Sequence, residues 1–136
     1  MVSACLILFL AADLTAIKSE PNPERRSDLA LDYASTALAS THDLYAAGDV
    51  GKWRSALAQV RDAVSLSYES LGAAGKNPRN DKHFKHAEVK TRELLRRLDG
   101  ARDDISVDDR SALDEVRAKV SEIHDELLQS IMSKKK

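Results

Sequence analysis

Cysteine, proline and aromatic residues are all scarce in this chain of 136 residues: there is one cysteine, Cys5, there are three prolines, and aromatics make up 4%. So few aromatics beside 32% charged residues suit an alanine- and leucine-rich helical protein and suit a β-sandwich poorly. Charge of one sign is lacking too. The formal net charge is −1, so no global field selects for nucleic acid, a membrane surface or an acidic substrate, and any such partner must read a local patch. Long apolar runs are also missing. The longest is centred on Leu6-Ile7-Leu8-Phe9-Leu10 within the uncharged stretch Val2 to Ala12. It is far shorter than the roughly 20 apolar residues that a membrane-spanning helix needs.

That run reads as the apolar centre of a secretory signal over residues 1–17, with Ala11, Ala12 and Ala16 as small residues for cleavage, although no Lys or Arg precedes it. The alternative is an apolar N-terminal piece packed on the rest of the molecule in a cytoplasmic protein. Cys5 precedes the apolar run, the reverse of the order that lipidation requires. Processing at the end of this segment leaves a cysteine-free mature chain, which excludes disulfides, thiolate catalysis and Cys-type metal sites. The expected location is the periplasm or the exterior, with no stable membrane span after processing.

What the chain has is helical periodicity. Residues 18–26 read as a polar linker because Pro21 and Pro23 interrupt a helix. Residues 27–133 then carry four apolar stripes, predicting helices over about 28–47, 50–71, 81–104 and 107–132, before a basic tail at 134–136. Ser27 is the expected cap of the first helix, whose inner face is alanine-rich (Ala30, Ala34, Ala37) and ends at Gly48. The second stripe is the most regular: Val50, Trp53, Leu57, Val60, Val64, Tyr68, Leu71. Asp49, and Asn80 or Asp81, can cap the second and third helices. Gly100 interrupts the third pattern, and Ser106 to Asp109 has the form of a capping box for the fourth. Short connections between helices of similar length predict an all-α, antiparallel up-down-up-down four-helix bundle.

Leu44-Tyr45-Ala46-Ala47-Gly48-Asp49, followed by Trp53 and Ala56-Leu57, resembles part of one tetratricopeptide repeat. The expected helices are too long for a repeat of about 34 residues, and no second copy occurs between residues 79 and 132.

Chemistry-bearing residues are few. His83 and His86, three apart at the start of the third helix, could bind a divalent metal with Asp81 or Glu88. Bundle di-iron sites use Glu-x-x-His, which is absent, and Lys82 and Lys85 flank the pair. His42 and His124 border their stripes without a nucleophile at meaningful spacing. Gly72 to Asn77 lacks the spacing and hydroxyl of a phosphate loop. Residues 76–97 hold eight cations against three acids, whereas 99–126 hold four cations against ten acids. The expected use of this asymmetry is mutual pairing of helices three and four. The functional alternative is an anion-binding patch at Lys76, Arg79, Lys82 and Lys85. Nucleic acid is not expected, because no stacking aromatics interleave the basic residues.

The sequence therefore predicts a small exported helical protein that acts by binding a protein partner or itself. It predicts no enzyme and no cofactor, with a periplasmic metal- or anion-binding protein as the alternative.

Overall fold

A computed structural model of the chain describes residues 14–133. Within them the regular structure is entirely helical, without a strand. The long elements are α1 (Pro23–Ala46), α2 (Val50–Ala74), α3 (Lys82–Arg102) and α4 (Arg110–Met132), and a 3-10 turn at Val107–Asp109 leads into the last. Residues 14–18 form a further short helical segment. Among the described residues, no helix is long and apolar enough to cross a membrane. Most of the expected signal, and the basic tail at 134–136, lie outside the described residues. Within 14–17, Leu14 is buried in the core and Ile17 packs against it.

Local chemistry sets the helix ends. α1 starts five residues before the expected Asp28, because Asn22 is its cap: Asn22 Oδ1 accepts from the backbone N–H of Glu24 at 3.0 Å and of Arg25 at 3.2 Å. Pro23 occupies the first helical position, where a missing N–H costs nothing, so the second proline initiates the helix that it was expected to prevent. Ser27 is consequently not a cap but an interior residue facing α2. Asp49 and Asp81 do cap α2 and α3, accepting from the N–H of Lys52 and Phe84. Gly48 and Gly75 take left-handed φ angles of 78° and 68° just beyond α1 and α2, where a Cβ would be strained. Gly100 does not stop α3, which runs through it to Arg102. Ser106 and Asp109 do not form the expected reciprocal cap. The Asp109 carboxylate is instead drawn to the Tyr45 and Ser106 hydroxyls.

The helices pair as two hairpins. In the first, Ser27 meets Ser67 and Arg26 meets Ser70, so α1 and α2 run antiparallel. In the second, Arg102 binds Asp114, Arg117 binds Asp99 and His124 binds Glu88, so α3 and α4 also run antiparallel. Between the hairpins the sense is parallel. Asp28 meets His83 and Ser35 meets Arg97 along α1 and α3, while Arg54 meets Asp109 and Tyr68 meets Glu126 along α2 and α4. α1 and α4 do not pack on each other, and α2 touches α3 only slightly. Residues 75–81 therefore cross from one hairpin to the diagonal position in the other. The hairpin turns (47–49 and 103–109) lie together at one end of the molecule, the turn end. The crossing segment and the starts of α1 and α3 lie at the other, the crossover end.

The stripes supply the core. Trp53, Leu57, Val60 and Val64 of α2 are buried, as are Leu94 and Leu98 of α3 and Val120 and Leu127 of α4. Leu31 of α1 is fully buried with them, whereas Val89 of α3 is 49% exposed. The α1–α2 contact is the most extensive among the described residues, and both helices bury small side chains: Ala30, Ala34 and Ala37 of α1, and Ala56 and Ala63 of α2. The asymmetry of charge between α3 and α4 is used less than expected. Of their cross-helix Arg–carboxylate pairs, Arg102–Asp114 runs in the expected sense, and Arg117–Asp99 joins a cation of the acidic helix to an acid of the basic one.

Within the small-residue interface the buried Ser27 and Ser67 hydroxyls bond to each other at 2.7 Å. Replacing Ser27 alone by alanine leaves Ser67 to find another acceptor, and urea unfolding is expected to show a loss of about 1 kcal/mol. The double alanine variant removes both polar groups. It should lose less than the sum of the two single changes.

Candidate functional site

At the turn end the two hairpins do not close completely. A pocket of about 390 Å3 opens there. Leu38, Tyr45, Trp53, Ile105 and Leu113 supply its apolar lining, and Arg97, His42 and Asp104 supply its polar and charged groups. Every long helix contributes, so the pocket exists only when both hairpins are assembled.

Its walls are held from outside. The Tyr45 and Trp53 rings pack with centroids 5.0 Å apart and planes inclined by 55°, a tilted pair that joins the end of α1 to the start of α2. The Tyr45 hydroxyl donates to Asp109 Oδ2 at 3.0 Å and accepts the backbone N–H of Ser106 at 2.9 Å, tying the same corner to the turn before α4. Arg54 stands 3.5 Å from the other Asp109 oxygen. Arg97 is half-buried on α3. Its Nη1 donates to Ser35 Oγ at 2.9 Å and its Nη2 to the Ser35 carbonyl at 3.3 Å, so its bonds orient the guanidinium on neutral groups without neutralising it. The pocket thus combines an apolar lining with one oriented cation, and His42 and Asp104 are the titratable groups beside it.

The histidines fall in four different settings. His42 is exposed and lines the turn-end pocket. His83 is partly buried at the crossover end, its ring between Asp28 and Glu24 of α1. His86 is exposed and stands outside the group of metal-ligating atoms formed by Glu24, Asp81 and His83. Of the expected metal-ligating residues, His83 and Asp81 are brought together with Glu24, and His86 lies apart from that group. The His83–His86 spacing is helical, but the His83 ring is turned into the α1–α3 seam. The four cations of the expected patch lie on the crossing segment and at the start of α3. Lys76 and Arg79 line a groove of the crossing segment with Ser130 and Ser133 of the α4 end, and Lys82 and Lys85 are exposed on α3. Among the described residues, none of these four side chains makes an ion pair.

His124 serves the fold. Its Nε2 bonds to Glu88 Oε2 at 2.8 Å, and because a carboxylate only accepts, that nitrogen carries the proton. Arg92 grips the same carboxylate with two bonds of 2.9 and 3.1 Å. Burial pushes the Glu88 carboxyl up, but the hydrogen bonds from His124 and Arg92 outweigh it and hold the group below the usual carboxylate range. His42 and His124 do not meet.

The pocket residues Arg97, Leu38 and Ile105 were not legible as a set, because they are distant in sequence and meet only across the parallel α1–α3 seam. Trp53, on the apolar stripe of α2, both packs in the core and lines the pocket.

Because the Glu88 carboxyl is lowered in the folded state, its contribution to stability is complete above the unfolded value and is lost as pH falls through the folded one. Thermal melts of the protein and of Glu88→Gln should differ by about 1 kcal/mol near neutrality, with the gap narrowing below about pH 5.

Comparison with protein-family models, with curated proteins and with solved structures found no match for this chain.

Proposed function

We propose that this protein is a non-catalytic helical-bundle binding protein, its chain directions alternating up-down-up-down. The turn-end pocket would receive a small molecule with an apolar body and a carboxylate. The supporting observation is the pairing of an apolar pocket of about 390 Å3 with a guanidinium held on neutral partners. The apolar body lies against Tyr45, Trp53 and Ile105, and the carboxylate meets Arg97 with His42 beside it. Desolvated Arg–carboxylate contacts are among the stronger polar interactions, and Asp104 disfavours ligands carrying a second negative charge. A protein partner or self-association is compatible with this reading but has no comparably defined surface.

Trp53 is the only tryptophan of the chain, so its fluorescence reports on the pocket directly. Titration with octanoate and with phenylacetate is expected to shift or quench that emission saturably. Arg97→Gln should weaken binding by about tenfold or more, the equivalent of roughly 1.4 kcal/mol. No response of Trp53 to either probe refutes this reading.

Export remains the proposed context. Leu14 and Ile17 pack on the core, so processing at Ala11 or Ala12 preserves these contacts and processing after Ala16 removes Leu14. Mass spectrometry of protein recovered from fractionated bacteria is expected to show a periplasmic chain that retains Leu14. Unprocessed protein in the cytoplasm would reject export.

A further inference from the structure

The crossover end carries a second constellation, remote from the pocket and independent of the ligand proposed for it. α1 and α3 begin side by side there. Glu24 and Asp28 lie one turn apart on α1 and share a face toward α3. Asp81 caps α3 through one oxygen, Oδ2, which accepts from the Phe84 N–H. His83 follows two residues later and turns its ring into the seam between the helices.

The ring is oriented by Asp28. His83 Nδ1 bonds to Asp28 Oδ1 at 3.4 Å, with Oδ2 at 3.2 Å, and the carboxylate can only accept, so Nδ1 carries a proton. In the neutral ring the lone pair is then on Nε2. That nitrogen lies 3.5 Å from Glu24 Oε2. Two acceptors so placed need a positive charge between them, which either a proton on Nε2 or a metal ion supplies. A third donor is at hand: ligand atoms of Glu24, Asp81 and His83 all lie within 4.8 Å of one another. Arg25, next to Glu24, is bonded to Glu20, and Lys82, between Asp81 and His83, is exposed on α3, so neither fills the gap.

We propose that Glu24, Asp81 and His83 bind one divalent transition-metal ion such as zinc or manganese, with Asp28 as the positioning residue behind the imidazole. A carboxylate on the distal nitrogen of a metal-bound histidine fixes the tautomer and raises the basicity of the ligand, which is the relation of Asp28 to His83. One imidazole with two carboxylates selects borderline ions, and the imidazole disfavours calcium and magnesium. Three protein ligands leave positions for water. Because the ligands come from α1 and from the start of α3, the ion joins the two hairpins where they meet. His86 has no part in the site.

The test uses the untagged full chain, stripped of metal and titrated calorimetrically with zinc, manganese and calcium at neutral pH. Zinc or manganese is expected to bind at about one ion per chain and to raise the melting temperature, since an ion that binds only the folded state stabilises it by mass action. His83→Ala and Glu24→Gln should each lower the affinity at least 100-fold, Asp28→Asn about 10- to 100-fold, and His86→Ala should leave it unchanged. Binding should weaken as pH falls and protons compete for the ligands. Circular dichroism confirms folding, and the single-atom changes Glu24→Gln and Asp28→Asn decide the matter if His83→Ala does not fold. Absence of heat and thermal shift with both zinc and manganese overturns the proposal, as does a loss in His86→Ala equal to that in His83→Ala. Octanoate binding at Trp53 stands or falls separately.

Discussion

The close approach of α1 to α2 is the constraint on which the other packing rests. Ala30, Ala34 and Ala37 of α1 and Ala56 and Ala63 of α2 are buried, and a hydrogen-bonded serine pair joins the two helices where a larger side chain would hold the backbones apart. Small residues bury little area each, so their value lies in the number of atom contacts that close backbones make. They also leave the large side chains for the opposite faces. Leu57, Val64, Leu94, Val120 and Leu127 fill the space between the hairpins, giving one core shared by all four long helices.

From that arrangement follow the two ends. Parallel packing of α1 on α3 and of α2 on α4 sets the helix starts of α1 and α3 together and the two hairpin turns together. At the turn end the Tyr45–Asp109–Ser106 bonds replace apolar filling, and a pocket remains beneath them. At the crossover end carboxylates that serve helix starts stand beside a histidine from the neighbouring helix. The same side chains thus answer local needs, as caps and corner bonds, and create the sites. Glu88 with His124 and Arg92 shows the contrasting case, in which a histidine–carboxylate pair is fully engaged in holding α3 to α4.

Much of the helical content was legible beforehand because its signals are local. Apolar spacing places Trp53, Leu57, Val60 and Val64 on one face, and Asp49, Asp81, Gly48 and Gly75 mark ends by their own hydrogen bonds and φ angles. Where local reading failed, two local meanings competed. Pro23 is a breaker inside a helix and a good first residue of one, and only the Asn22 cap decides between them. Asp109 is a capping residue by spacing, yet Tyr45, 64 positions away, takes its carboxylate. Pairing of helices three and four by bulk charge misled for a related reason, since an exposed cation gains little from an acid that it does not touch.

Sequence alone determined the helices, their main buried faces and the absence of a familiar catalytic motif, because each of these depends on residues within a few turns of one another. Tertiary structure decided which helices are neighbours. The crossing at residues 75–81 puts α1 beside α3 in parallel, and that single choice brings His83 to Glu24 and Asp28, and Arg97 to Leu38 and Ser35. Periodicity is blind to it: a stripe fixes which face of a helix is apolar, and only the joint packing of all the stripes fixes what that face meets.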